Sequence, residues 1–185
     1  MSENDLQILV NGCRRGDRLS QKRVYQLFYR YGMNLCARYA RTDEEAEEMY
    51  NDALVRAFQK IDLYDATRSF AGWLHTILVR ASINYLRKFS TTPMTDYLQV
   101  VENHKLTAHF SHDFLADMSA AEIINLVRQL PPSYRAVFNL SVVDGHSHVE
   151  IAAMLGISEG TSRSNLMIAR QKLQVLISES HKIRT

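Results

Sequence analysis

Apolar residues recur every three to four positions along nearly the whole chain, and the strict alternation that marks a half-buried strand is missing, so the sequence predicts an all-α fold. From Ser20 a helix is expected to carry Val24, Leu27, Phe28, Tyr31 and Leu35 on its inner side and to stop near Arg41. Thr42 with Glu45 three residues on then makes a capping box, in which hydroxyl and carboxylate satisfy amides that a helix start leaves without partners. The helix it opens turns Ala46, Met49, Ala53, Ala57, Phe58 and Ile61 inward. A loop over residues 62–69 follows. Phe70, Trp73, Leu74, Ile77, Ala81 and Leu86 then mark a long helix ending near Lys88.

Beyond Phe89 the period decays: Thr91, Thr92, Pro93 and Thr95 break it, and the residues to about His112 show mixed polarity, the pattern of a flexible linker. Ser119 with Glu122 starts a new series, whose first helix ends before Pro131 and Pro132 and whose second carries Tyr134, Val137, Phe138 and Val142. Ser147 and Glu150 form a further capping box. The short helix they open buries Val149, Ile151, Ala152 and Leu155, Ile157 plugs the turn, and Gly156 supplies the left-handed residue that ends it. Ser158 caps the next helix, with Leu166, Ala169, Leu173 and Leu176 inside and Arg163, Ser164, Met167 and Ile168 outside. Two short helices around a glycine turn, the second with a polar outer face, form the unit that enters a DNA major groove. The expected organisation is two small helical domains, residues 1–90 and 118–185, joined by a linker over 91–117.

Composition refines this picture at three points. No signal peptide opens the chain and no run of eighteen apolar residues crosses it, so a soluble, cytoplasmic protein is expected, with no membrane insertion. Cys13 and Cys36 lack metal-ligand or CxxC spacing and are read as core thiols. Net charge is only +2, weak for a protein that grips DNA alone, because phosphate neutralisation supplies most non-specific affinity. That average hides segregation: residues 43–52 hold six carboxylates and no base, whereas residues 68–88 hold four basic residues and no acid. DNA is therefore expected to meet two separate surfaces and another protein a third.

Three stretches carry a family resemblance. EEAEEMYNDALVRAF (44–58) resembles a polymerase-binding helix, FAGWLHTILVRASINYLRK (70–88) a promoter-melting segment, and LPPSYRAVFNL with GISEGTSRSNLMIARQKL (130–140 and 156–173) a helix-turn-helix. In this order they are similar to the extracytoplasmic-function (ECF) sigma factors, the smallest class of bacterial RNA polymerase specificity subunit, which keep sigma regions 2 and 4. The resemblance covers about residues 9–88 and 120–177. It implies core RNA polymerase and promoter DNA as partners, an anti-sigma factor that holds the protein inactive, no catalysis, no cofactor and no metal.

Site residues follow by position. Gly160, Thr161, Arg163, Ser164, Asn165, Met167 and Arg170 are expected on the minus-35 element, with Arg163 the first choice for base readout because its fork can bridge guanine O6 and N7. Capture of single-stranded minus-10 bases needs flat surfaces, hydrogen-bond donors and cations. Tyr64, Asp65, Thr67, Arg68 and Ser69 in the loop, with Trp73, His75, Thr76, Arg80, Arg87 and Lys88 on the long helix, are the candidates, although the place of Trp73 on the apolar stripe favours core packing over base stacking. Arg80 stands where the family has asparagine, and Asn84 where it commonly has aspartate. Met49, Asp52, Arg56 and Gln59 are expected to meet polymerase, unless Met49 belongs to the core.

Two competing readings exist. An autonomous helix-turn-helix regulator would bind a palindrome as a symmetric pair, without polymerase. An enzyme or metal protein could be built on His104, His109 and His112 with Glu102 and Asp113, but a weakly periodic segment holds such ligands poorly and no nucleophile or phosphate loop accompanies them.

Overall fold

The structure is a computed structural model that describes residues 3–89 and 120–184. No strand occurs among the described residues. The chain divides into two compact units, Met1–Tyr85 and Leu86–Thr185. The division falls inside a helix, ahead of the expected boundary at 90.

The first unit contains α1 (Glu3–Arg14), α2 (Arg18–Ala37), α3 (Asp43–Gln59), a 3-10 turn (Ile61–Leu63) and most of α4 (Phe70–Phe89). Leu6, Leu9, Val10 and Cys13 carry the period of α1. Asp17 starts α2, its carboxylate accepting from Ser20 Oγ, Ser20 N and Leu19 N, which together hold that carboxyl below its ordinary range. Thr42 starts α3 as expected, accepting from Glu45 N at 3.2 Å. Glu45, however, takes the amide of Arg41 at 2.7 Å rather than that of the cap residue. Asp43, Glu44 and Glu45 in the first turn complement the positive end of the helix dipole.

Val10, Val24, Cys36, Tyr39, Met49, Tyr50, Leu74 and Leu78 are fully buried and form the core of this unit. Each large apolar side chain so removed from water contributes about 1.5–3 kcal/mol. Leu27 and Tyr31, expected inside, are 43% and 41% exposed. The inner stripe of α2 runs instead through Val24, Gly32, Leu35 and Cys36.

The second unit contains α5 (Ala120–Arg128), α6 (Pro132–Phe138), a π-helical turn (Asn139–Val143), α7 (His148–Leu155) and α8 (Glu159–Arg184). Ser119, the expected cap of α5, and the linker histidines lie outside the described residues. Tyr134, Val137, Leu140, Ile151, Leu155, Leu166, Ala169 and Leu173 form its core. Arg135 is also fully buried, its Nη1 donating to the Arg128 carbonyl at 2.9 Å, which ties α6 to the end of α5. Val142 and Val149 are 48% and 63% exposed rather than internal. The π-helical turn shifts the phase of α6 before Val142 is reached, and Val149 occupies the second position of α7, on its outer side.

Candidate nucleic-acid interface

On the first unit, the end of α3, the 3-10 turn, the loop after it and one face of α4 enclose a cavity of about 620 Å³. Its floor is aromatic. Tyr64 is 6% exposed, its ring 5.2 Å from Phe70 and 5.4 Å from Trp73, and its hydroxyl donates to the Arg68 carbonyl at 2.6 Å. Arg14 of α1 donates to the Tyr64 carbonyl at 2.7 Å, which fixes the loop from below. Asp65 accepts from the amide and hydroxyl of Thr67 at 2.9 and 2.8 Å; these bonds hold its carboxyl below the ordinary range. Ser69 Oγ accepts from Gly72 N at 3.3 Å and so starts α4. The loop is thus shaped by its own side chains.

Of the expected minus-10 residues, Tyr64, Asp65, Arg68, Ser69, Trp73, Thr76 and Arg80 line this cavity. Tyr64 lines the cavity while largely buried, and its hydroxyl, donated to the Arg68 carbonyl, also supports the loop. Trp73 packs on Tyr64 and Phe70 and is half-buried at the cavity wall. His75 turns aside, its Nδ1 at 2.8 Å from Tyr31 Oη of α2. Thr67 is engaged with Asp65, and Arg87 and Lys88 are exposed beyond the cavity at the end of α4.

Of the residues assigned to polymerase, the structure sets Met49 apart from Asp52, Arg56 and Gln59. Met49 is fully buried and belongs to the core, because its helical phase is that of Ala46 and Ala53. Asp52, Arg56 and Gln59 are exposed, with Arg56 paired to Asp52 at 3.3 Å. Arg56 also lines the cavity, together with Lys60, Leu63, Ile77 and Asn84, none of the four named from sequence as cavity residues. The signal was available: Ile77 and Asn84 follow Trp73 and Arg80 by four residues, one helical turn.

On the second unit Ser147 and Glu150 make the full capping box, Ser147 Oγ accepting from Glu150 N and Glu150 Oε2 accepting from Ser147 N at 2.8 Å. The Ser147 amide and then its hydroxyl, both donating to Glu150 Oε2, hold that carboxyl below its ordinary range. Gly156 has φ 68°, the left-handed region, and its amide and that of Ile157 both reach the Ala152 carbonyl. Ser158 Oγ accepts from Thr161 N at 2.9 Å and starts α8. His148 Nδ1 lies 2.9 Å from the buried Ser162 Oγ, joining α7 to α8.

Gly160, Arg163, Met167 and Arg170 are exposed on α8, and Thr161 and Ser164 are half-buried beside them. Arg163 forks onto Glu159 one turn earlier through Nε and Nη2. Asn165 and Ile168 are corrections, at 2% and 6% exposure. The inner stripe set by Leu166, Ala169 and Leu173 extends back one turn through Ser162 and Asn165, polar residues that an apolar count passes over.

Residues 21–91 match the family profile of Sigma-70 region 2, and residues 120–173 that of Sigma-70, region 4. The chain belongs to the sigma-70 family. It is an ECF-type sigma factor, a subunit that directs RNA polymerase to promoters. It is 29% identical over 164 residues to the ECF RNA polymerase sigma factor SigW of Bacillus subtilis, covering 82% of this chain and 81% of SigW. The ECF RNA polymerase sigma-E factor of Escherichia coli is 26% identical over 186 residues, covering 92% and 95%. SigE of Mycolicibacterium smegmatis is 31% identical over 158 residues, and the match spans 82% of this chain but only 56% of that longer protein. The fold is shared with the sigma factor RpoE of Bartonella quintana, solved in complex with the anti-sigma factor NepR, at a TM-score of 0.52 and 22% identity over 85% of this chain and 96% of that one. Among the described residues no helix is long and apolar enough to cross a membrane.

Proposed function

We propose that this sigma factor binds core RNA polymerase, places the outer face of α8 on a duplex minus-35 element, and uses the cavity of the first unit to hold an extruded base of the minus-10 element. It makes and breaks no covalent bond itself; it works in the cytoplasm, and an anti-sigma partner holds it inactive. The observation that carries the reading is the cavity, where an aromatic floor, flat apolar walls and cations from α3, the loop and α4 converge on one space of base size or larger. Stacking surfaces and cations are what single-strand capture requires. On α8, Arg163 and Arg170 supply the readout fork and a phosphate contact, while Gly160 and Thr161 admit the DNA backbone. Asp52 and Gln59, exposed on α3, supply polar contacts to polymerase.

In-vitro transcription of genomic fragments by core enzyme, with and without this protein, tests the reading. New, defined start sites are expected only when the protein is added. Their absence under conditions where core enzyme is competent overturns it.

A further inference from the structure

Among the described residues, one side-chain hydrogen bond crosses from α7 to α8: His148 Nδ1 lies 2.9 Å from Ser162 Oγ. The rest of that seam is greasy. α7 packs on α8, and its buried side chains, Ile151 and Leu155, are apolar, as are Leu166 and Ala169 of α8. Apolar burial is non-directional, so it holds two helices together without fixing how far one rolls on the other. The His148–Ser162 bond supplies the direction. Other helical serines turn their hydroxyls onto the carbonyl one turn back, as Ser82 does to Leu78 and Ser178 to Gln174. Ser162 instead reaches the neighbouring helix.

His148 is the first residue of α7, and Ser162 is fully buried between Thr161 and Arg163, so the bond grips from within the turn of α8 whose outer side carries Gly160 and Arg163. With α8 read as the minus-35 helix, on which the inference rests, we propose that His148 is a positioning residue for that element. Through Ser162 it sets the roll of the opening turns of α8, and with it the angle at which Arg163 meets a base edge. Hydrogen bonds weaken steeply with misalignment, and a two-pronged contact has two to align. Phosphate contacts carry no sequence information, so a rolled helix loses discrimination before it loses DNA.

Holoenzyme assembled from core polymerase and the full chain is titrated with a promoter it transcribes and with the same promoter carrying a scrambled minus-35 element. The ratio of the two affinities is the discrimination, and the unfolding midpoint of each free variant is measured beside it. An asparagine amide stands where histidine has Nδ1 and serves as donor or acceptor, whereas a glutamine amide reaches the place of Nε2 and leaves Nδ1 unreplaced. His148→Asn is therefore expected to keep the discrimination and His148→Gln to lower it about fivefold, the scale of one hydrogen bond. Ser162→Ala is expected to lower it as much while its midpoint holds or rises, because the buried oxygen is gone and the half-buried imidazole turns to water. The double variant His148→Gln with Ser162→Ala should lose no more than either alone. Equal discrimination by the Asn and Gln variants, full discrimination by Ser162→Ala, or a Ser162→Ala midpoint that falls in step with the ratio overturns the proposal while the reading of α8 stands. An unaltered holoenzyme that ignores the scrambling overturns both.

Discussion

Gly32 of α2 lies flush against the ring of Tyr50 of α3: a Cβ built on Gly32 would stand 2.2 Å from Tyr50 Cε2. The ring has nowhere to retreat, because it is fully buried and its hydroxyl donates to the Tyr25 carbonyl at 2.7 Å. Burial also pushes that phenol above its ordinary range. Gly32→Ala is therefore expected to cost on the order of 1–3 kcal/mol, through forced separation of α2 and α3. A lowered denaturant midpoint checks it; an unchanged midpoint means the two helices have slack that the geometry denies.

Arg163 is held by Glu159 before any DNA arrives. Arg163→Ala should reduce minus-35-dependent transcription about tenfold or more, since one bidentate base contact is worth ~1–3 kcal/mol of discrimination. Glu159→Gln should act in the opposite direction, freeing the fork and removing a negative charge from the face proposed to meet phosphate. A few-fold tighter complex on duplex minus-35 DNA, read by anisotropy at fixed salt, is the expected result.

The capping box of α7 predicts an acid response with a definite sign. The folded Glu150 carboxyl sits below its ordinary range because Ser147 donates to its charged form, so its contribution is complete above the unfolded value of about 4.3 and is lost as pH falls through the lower folded value. Ser147→Ala should lower stability by ~1 kcal/mol at pH 7. The difference between the two proteins should shrink when unfolding is repeated near pH 3.

Cys13 and Cys36 are buried, and burial pushes both thiols up to about 11. At pH 8 the thiolate that reacts is scarce in each. Alkylation by iodoacetamide should be slow in the native protein and rapid in denaturant, with mass spectrometry counting the adducts.

The sequence made the helical class and the caps at Thr42, Ser147 and Ser158 legible, because a cap is a local hydrogen bond between residues three apart. What it hid depended on phase and on distance. Asn165 and Ser162 face inward because α8 keeps one register along its length, and counting apolar residues alone cannot see a polar member of the stripe. Met49 was ambiguous until its neighbours Ala46 and Ala53 were found buried with it. The cavity joins Lys60 to Asn84 across a loop, and the support from Arg14 comes from a helix fifty residues away from Tyr64, separations that no local motif records.

The single helix α8 runs 26 residues, about 39 Å. Its opening turns carry the exposed residues proposed to read the minus-35 element, while Leu173 and Ile177 further along are buried in the second unit. Reading head and mast are thus one rigid rod. On the proposed reading, new promoter preferences are grafted onto Gly160, Arg163, Ser164 and Met167 as a cassette, with the buried Ser162, Asn165 and Leu166 between them left as the keel.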